Sequence, residues 1–349
     1  MKARVGLDDV EASGQNTFHN ANSVLPSDKR MKRACIHEYG DPGVLVYEDA
    51  PIPEPGPGEV RIRVHAAGVN PADRQIRAGL RQKLKKPFTL TLGCEVSGVV
   101  DKADPEVKKF AVGDAVYGRL VRLGGYAEYA VEAADHLARK PASLDHVHAA
   151  ALPVAALTAW DALFDVGGLV AGQKALIHAA AGGVGHIAVQ LAKWRGAQVI
   201  GTASAGNEAF LRQLRIDVFI DYRTIAFESV EQDVDVVLDV IPREVDNATD
   251  ALARETMERS WRVLKDGGIQ VSICENPEPS SDAVARALRG AYAAAKGGGG
   301  LLNRIAELVD HGKLRPEVGT ILPLREARQA HELIQTGHTR GKIVLKVPR

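Results

Sequence analysis

From residue 31 to about residue 153 the apolar positions come in short runs such as VRIRVHAAGV (60–69), SGVVDKA (97–103), DAVYGR (114–119) and YAEYAVE (126–132), separated by glycine and proline. Runs of that length with regular turn punctuation predict short strands in a compact, strand-rich unit that opens with MKRACIHEYG (31–40). The stretch PIPEPGPGEV at 51–60 predicts an extended, proline-stiffened connector. Near residue 157 the pattern changes. Apolar runs KALIHAAA (174–181), QVIGTAS (198–204), DVFIDY (217–222), DVVLDVI (235–241) and GGIQVSIC (267–274) are interleaved with helical patterns. These are AVQLAKWRG, NEAFLRQLR, a long segment reaching residue 264, and DAVARALRGAYAAA (282–295). Strands apolar on both faces and separated by helices predict a parallel sheet covered on both sides, a doubly wound Rossmann-like domain.

Beyond residue 296, GGGG at 297–300 predicts a flexible joint, followed by a helix at 301–312, a short strand near 320–324, a helix at 325–337 and a last strand GKIVLKV (341–347). That last strand follows the end of the nucleotide-domain pattern, so it is expected to rejoin the first unit, with a cleft between the two. The fold class is α/β. The expected division is a flexible N-terminal extension at 1–30, a β-rich catalytic domain in two pieces at 31–156 and 299–349, and a Rossmann NAD(P)-binding domain at 157–298.

Composition narrows the functional classes. The 349 residues exceed one typical domain, and the balance of 44 basic and 44 acidic side chains lacks the basic field of a nucleic-acid binder. No apolar run approaches the roughly 20 residues needed to cross a bilayer, so no membrane partner is expected. The first thirty residues lack an apolar core and a basic amphipathic face, which supports neither secretion nor organelle import. The three cysteines, Cys35, Cys94 and Cys274, are too few for a four-cysteine zinc site and fit reduced thiols in the cytoplasm.

The strongest motif is HAAAGGVG at 178–185, between a strand and a helix. Ala180, Gly182 and Gly185 take the three glycine positions of the dinucleotide fingerprint, where backbone amides and a helix N-terminus receive a pyrophosphate. Cofactor contacts are expected at Ala181, Gly182, Gly183, Val184 and Gly185. About 20 residues on, an acid would bind the ribose 2′-hydroxyl of NAD, and Ser204 stands there instead. A 2′-phosphate is then tolerated, so NADPH is expected over NADH, with Arg212, Tyr222 and Arg223 as candidates near it.

Together with AAGVNPAD (66–73), LGCEVSGVV (92–100), VGDAVYG (112–118), GGYAEYA (124–130), LPVAALTAW (152–160) and GKIVL (341–345), these residues resemble the medium-chain dehydrogenase/reductase superfamily, and within it the zinc-free quinone oxidoreductase-like branch. The resemblance runs from residue 31 to the C-terminus and implies a GroES-like β-rich catalytic domain split around the Rossmann domain. The three catalytic zinc ligands of the family's alcohol dehydrogenases match Asn70, Cys94 and Val154. One potential ligand is left, so no metal site is expected, and Cys94 and Glu95 are read as a buried thiol and a carboxylate bonded within their loop. By the same resemblance Asn70 and Thr158 would be the catalytic pair, Asn70 beside the nicotinamide and Thr158 touching the cofactor, while Val240 would line the nicotinamide site. The implied reaction is NADPH-dependent reduction of a quinone, or of the C=C bond of an α,β-unsaturated carbonyl.

Other residues receive structural readings. His37, His65, His178 and His186 share no spacing and are expected to be structural or solvent-facing. Tyr126 and Tyr129 are expected to pack in strands, and Lys342 to be a solvated charge, with Arg340 the residue that could reach the cofactor phosphate. The glycine run 297–300 replaces what is a Rossmann strand in the family, which bears on the sheet edge and on a homodimer formed through it. Two other functions compete: a non-catalytic NADPH-binding sensor, which Asn70 and Thr158 weigh against, and a zinc alcohol dehydrogenase, which the missing ligands oppose.

Overall fold

The computed structural model describes residues 30–80, 88–243 and 247–348. Residues 1–29 of the expected extension lie outside the described residues, and Arg30 already opens the first strand. The strand-rich unit runs β1 (Arg30–Ile36), β2 (Leu45–Pro51), β3 (Glu59–Val69), α1 (Pro71–Arg77), β4 (Leu90–Thr91), β5 (Glu95–Ala103), β6 (Ala115–Arg119), β7 (Tyr129–Ala133), β8 (Leu137–Arg139), α2 (His146–Ala150) and α3 (Pro153–Trp160). Its longest strand, β3, shows why the alternation works: Val60, Ile62, Val64 and Ala66 all point into the core. Both α1 and α3 start on a proline, whose fixed φ suits the first helical position.

The second unit contains β9 (Lys174–Ile177), α4 (Gly185–Arg195), β10 (Gln198–Ala203), α5 (Glu208–Gln213), β11 (Val218–Asp221), β12 (Val234–Asp239), α6 (Asn247–Ser260), β13 (Leu264–Ser272), α7 (Ser281–Ala285) and β14 (Arg289–Tyr292). Its parallel sheet has the order β11-β10-β9-β12-β13-β14, the doubly wound order in which strands are added to one side of β9 and then, from β12 on, to the other. The switch point therefore lies at the carboxyl ends of β9 and β12, where open α/β sheets bind ligands.

Three expectations are corrected here. The segment 282–295 is not one helix. It forms the short α7 and then β14, because a side chain on Gly290 would overlap the Pro277 carbonyl, and this close approach holds the alanine-rich stretch extended beside β13. The sixth strand of the sheet is thus present before the glycine run. That run is also not simply a joint: Gly299 and Gly300 form the first turn of α8 (Gly299–Asp310), and a Cβ on Gly299 would overlap the Leu137 carbonyl. The helix expected to reach residue 264 ends at Ser260, since Leu264 already pairs as β13 with β12.

The chain then adds β15 (Val318–Pro323), α9 (Ala327–Gln335) and β16 (Lys342–Lys346). The last strand does return to the first unit. In the seven-stranded sheet β16 pairs antiparallel with the C-terminal part of β3, from Ala66 to Val69, while β7 pairs with its N-terminal part. One long strand thereby aligns the end of the chain with Asn70, directly after Val69. No described helix is long and apolar enough to cross a membrane.

Candidate active site

The chain leaves β9 at Ile177 and enters α4 at Gly185 through a tight loop. Gly182 donates its N–H to the Ala179 carbonyl at 2.9 Å, and a Cβ on Gly185 would overlap that same oxygen. Glycine is what lets the helix begin this close to the strand. The N–H groups of Val184 and Gly185 find no acceptor among the described residues, while that of Gly183 faces the Gly341 carbonyl across the bridge between Gly182 and Gly341. Unpaired amides at the positive end of an eleven-residue helix form a ready anion site. The loop fits a dinucleotide pyrophosphate on this observation, and it brings Ala181, Gly182, Gly183, Val184 and Gly185 together at the switch point.

The last strand lies against this loop. Gly341 donates to the Ala181 carbonyl at 2.9 Å and forms a parallel bridge with Gly182, and the Lys342 stem lies 3.0 Å from where a Cβ on Gly183 would be. Lys342 is not the solvated charge expected of it, being 4% exposed. Its ammonium donates to Asn70 Oδ1 at 2.5 Å, Glu95 Oε1 at 2.7 Å and the Val69 carbonyl at 3.1 Å. Three donors meet three acceptors, which is what allows a lysine to be charged away from water.

Asn70 and Glu95 complete the cluster. The Asn70 amide nitrogen donates to Glu95 Oε1 at 2.8 Å and contacts Cys94 Sγ at 3.4 Å, so both ends of this amide are engaged within the protein. Glu95 is fully buried, and its second oxygen accepts the Val154 N–H at 2.7 Å, tying the cluster to the start of α3. Thr158 sits one turn further along α3, also buried, with no protein partner for its hydroxyl among the described residues. Val240 directly follows β12 at the switch point and is 9% exposed.

Beneath Asn70 lies a second buried carboxylate. Asp73 accepts the Asn70 N–H at 2.9 Å, closing the first turn of α1, and the Tyr126 hydroxyl at 3.2 Å. Burial outweighs these donors and pushes its carboxyl up to about 6. Tyr126 is therefore a buried hydrogen-bond donor as well as a packing residue, while Tyr129 packs in β7.

Ser204 lies directly after β10, and its Oγ accepts from the Asn207 amide at 3.1 Å. Arg340 reaches across to this turn, donating to Asn207 Oδ1 at 2.8 Å and the Gly206 carbonyl at 2.7 Å, and lies over the Phe210 ring at 5.5 Å. Since Ala203 pairs with Asp221, Tyr222 and Arg223 emerge beside Ser204. The nearby acids are engaged: Glu208 pairs with Arg212 at 3.1 Å, and Asp221 accepts the Arg223 N–H at 3.1 Å. Arg212 is thus committed within α5.

Comparison with known proteins agrees with this geometry. A family model for an alcohol dehydrogenase GroES-like domain matches residues 56–142, and one for a zinc-binding dehydrogenase matches residues 214–345. The mitochondrial NAD(P)H oxidoreductase RTN4IP1 of Mus musculus is 34% identical over 83% of this chain and 82% of its own. The solved quinone oxidoreductase from Coxiella burnetii is 35% identical with a TM-score of 0.81, covering 92% of this chain and 100% of that one. The chain belongs to the quinone oxidoreductase-like branch of the medium-chain dehydrogenase/reductase superfamily. A further solved relative, CurK enoyl reductase, is 27% identical with a TM-score of 0.80, covering 91% of this chain and 99% of that one.

As a member of this superfamily the protein is an oxidoreductase in a family that binds NAD(P)H. Several residues of this reductase were read by the sequence as structural, and the geometry explains their places. His178 is buried between Thr202 Oγ1 and Ser260 Oγ, both at 3.0 Å. Ser260 donates its own proton to the Thr256 carbonyl, so His178 Nε2 is the donor and Nδ1 the acceptor. His186 donates from Nδ1 to the Gly182 carbonyl at 2.8 Å and accepts the Glu317 N–H at 3.0 Å, pinning the phosphate loop to the approach of β15. Burial holds these imidazoles down to about 3 and about 4, so both are neutral. His37 lies on the surface beyond β1.

Sequence reasoning missed Lys342 as a site residue, and it missed Arg243. The latter pairs with the fully buried Asp239 at 2.8 Å at the end of β12, and its carbonyl accepts from Arg74 of α1 at 3.0 Å, spanning the two units beside Val240. An acid ending a central strand of the parallel sheet was the available signal for Arg243.

Proposed function

We propose that this reductase uses NADPH to reduce quinones, or the C=C bond of α,β-unsaturated carbonyls, without zinc. The observation that carries the reading is Lys342, whose buried ammonium sits among Asn70 and Glu95 while its stem lies against a glycine loop with open amides. At the positions that match the family's zinc ligands stand an amide, the Cys94 thiol and the apolar Val154, and a lysine cation already neutralises the nearby carboxylate. That donor set does not fit a catalytic zinc ion, so no step is routed through one.

Bound at the loop, the reduced nicotinamide supplies the hydride. The chain's own residues bind the pyrophosphate at Gly183–Gly185, hold the polar edge of the cleft through Asn70 and Lys342, and offer the free Thr158 hydroxyl. Asn70 reaches a substrate oxygen by exchanging one of its internal bonds. One hydride and one proton from water convert a quinone to a hydroquinone, or an enone to a saturated carbonyl. Such acceptors are already electrophilic and need no Lewis acid, and the relatives described as quinone oxidoreductase and enoyl reductase support both substrate classes. The NADPH preference is supported by Ser204 in place of an acid and by Arg340, Tyr222 and Arg223 around it. We further propose a cytoplasmic enzyme, given three free thiols, and a homodimer paired through the edge strand β14.

The test is NADPH consumption by chelator-treated enzyme with benzoquinones, naphthoquinones, 2-alkenals and vinyl ketones. Turnover of one of these classes, with a higher kcat/KM for NADPH than for NADH, is expected. Loss of turnover on chelation with recovery on added zinc, or tight NADPH binding with no turnover of any acceptor, would overturn the reading. Light scattering tests the dimer, and fractionation of the source cells tests the compartment.

A further inference from the structure

Away from the cleft, β1 and β2 bring three metal-binding side chains of different chemistry to one face. Cys35 and His37 are two residues apart, so they project to the same side. Glu48 lies on the partner strand, opposite Arg33, in the register that shares that side. The Cys35 Sγ, His37 Nε2 and a Glu48 carboxylate oxygen all lie within 4.8 Å of one another, with Sγ to Nε2 at 4.0 Å and Nε2 to Oε2 at 2.9 Å. A tetrahedral zinc ion with ordinary bond lengths holds such donors about 3.4–3.6 Å apart. Side-chain rotation of well under a bond length per residue closes the difference.

The surroundings arrange these groups further. Thr89 Oγ1 lies 3.3 Å from His37 Nδ1, on the side of the ring away from the cluster, as an orienting partner of a metal-bound imidazole does. Arg33 binds Glu48 through Oε1 alone, at 2.6 and 3.1 Å, which fixes the carboxylate and leaves Oε2 turned toward His37. Cys35 is fully buried, whereas His37 is half exposed, so an ion has a path in from the surface.

We infer that Cys35, His37 and Glu48 form a zinc site on the outer face of the β2-β1-β4 sheet, separate from the nucleotide cleft. The thiolate, imidazole and carboxylate set matches a borderline-soft ion and not magnesium or calcium, and three protein ligands leave a fourth position for water. On binding, the Cys35 thiol releases its proton to solvent, the imidazole stays neutral with its proton on Nδ1 facing Thr89, and the Arg33 bond to Oε1 is kept. The ion clamps β1 to β2 and does not take part in hydride transfer.

The test uses the full chain stripped of metal, titrated with Zn2+ against a chromophoric chelator and with Co2+ followed by absorbance. One equivalent of tight binding and a near-ultraviolet thiolate-to-cobalt band are expected. Cys35→Ser should remove the band, Cys274→Ser should leave it, and His37→Gln should weaken binding roughly tenfold or more. His37 is exposed, so its variant keeps the test decisive if Cys35→Ser fails to fold. No cobalt band in the wild type, a band lost with Cys274→Ser instead, or unchanged affinity in His37→Gln would overturn the site. Turnover with quinones should be the same with and without one equivalent of Zn2+, which separates this outcome from failure of the proposed activity.

Discussion

Replacing Lys342 with methionine removes a charge while keeping most of the stem, and so isolates the ammonium. Glu95 has a fully buried side chain and that of Lys342 is 5% exposed, which places the pair in the buried regime rather than among surface ion pairs worth about 0–1 kcal/mol. Removing one partner of a buried pair leaves the other charge uncompensated and costs about 3–5 kcal/mol. Here Asn70 Oδ1 and the Val69 carbonyl also lose their donor. Lys342→Met is expected near the top of that range and Glu95→Gln near the bottom, because the glutamine can still accept from Asn70. The double variant removes both charges, so its loss should fall short of the sum of the single losses by about 2 kcal/mol or more. Urea unfolding of the four proteins at neutral pH measures this cycle, and NADPH-dependent quinone turnover of the same proteins should fall about tenfold in Lys342→Met as the Asn70 amide loses its anchor. Single losses below about 1 kcal/mol, or additivity within about 0.5 kcal/mol, would refute a buried, mutually dependent pair.

Other predictions follow from single contacts. Gly185→Ala should weaken NADPH binding at least about a hundredfold, since its Cβ would overlap the Ala179 carbonyl, while Gly206→Ala, facing open space, should fold normally; fluorescence titration and thermal melting check both. Arg340→Ala should raise the KM for NADPH about fivefold with little change for NADH, and equal effects on both would assign Arg340 to the turn alone. Stability should fall on acidification from pH 7 to pH 5. His178, His186 and His331, held at about 3, about 4 and about 3, take up protons only on unfolding below the usual 6.5, a loss of about 6 kcal/mol together. Asp73 opposes this, because a carboxyl raised to about 6 stabilises the fold as pH drops below that value, by about 1.4 kcal/mol at pH 5. Urea midpoints independent of pH across this range would contradict the burial of the three imidazoles.

The architecture was legible because the change from glycine-broken short strands to apolar runs alternating with helices is a direct trace of one-sided and two-sided burial. Segment 282–295 misled because seven alanines favour a helix locally, whereas the carbonyl of Pro277 against Gly290 is a tertiary contact with no local signature. In the candidate site, the glycine loop between β9 and α4 was readable since Gly185 answers a backbone requirement. Lys342 was not, because a charged residue at the start of a strand ordinarily faces water. The available signal was its company: Ile343, Val344 and Leu345 are buried on successive faces, so β16 has no solvent side at that point, and a charge there must have a buried partner.

That partner explains why the chain ends by returning to its first unit. β16 closes the strand-rich sheet on β3, touches the phosphate loop through Gly341, and sends Lys342 under Asn70. Each contact alone would be ordinary packing. Together they make the position of the Asn70 amide depend on the seating of the loop proposed to receive the pyrophosphate, through two adjacent residues, Gly341 and Lys342. A shift of the loop that pulls on Gly341 must move the ammonium, and a buried ammonium that loses Glu95 or Asn70 has no water to replace them. The two units are therefore joined at this edge by an electrostatic contact as well as by packing, and Arg74 of α1 adds a second link by donating to the carbonyl of Arg243.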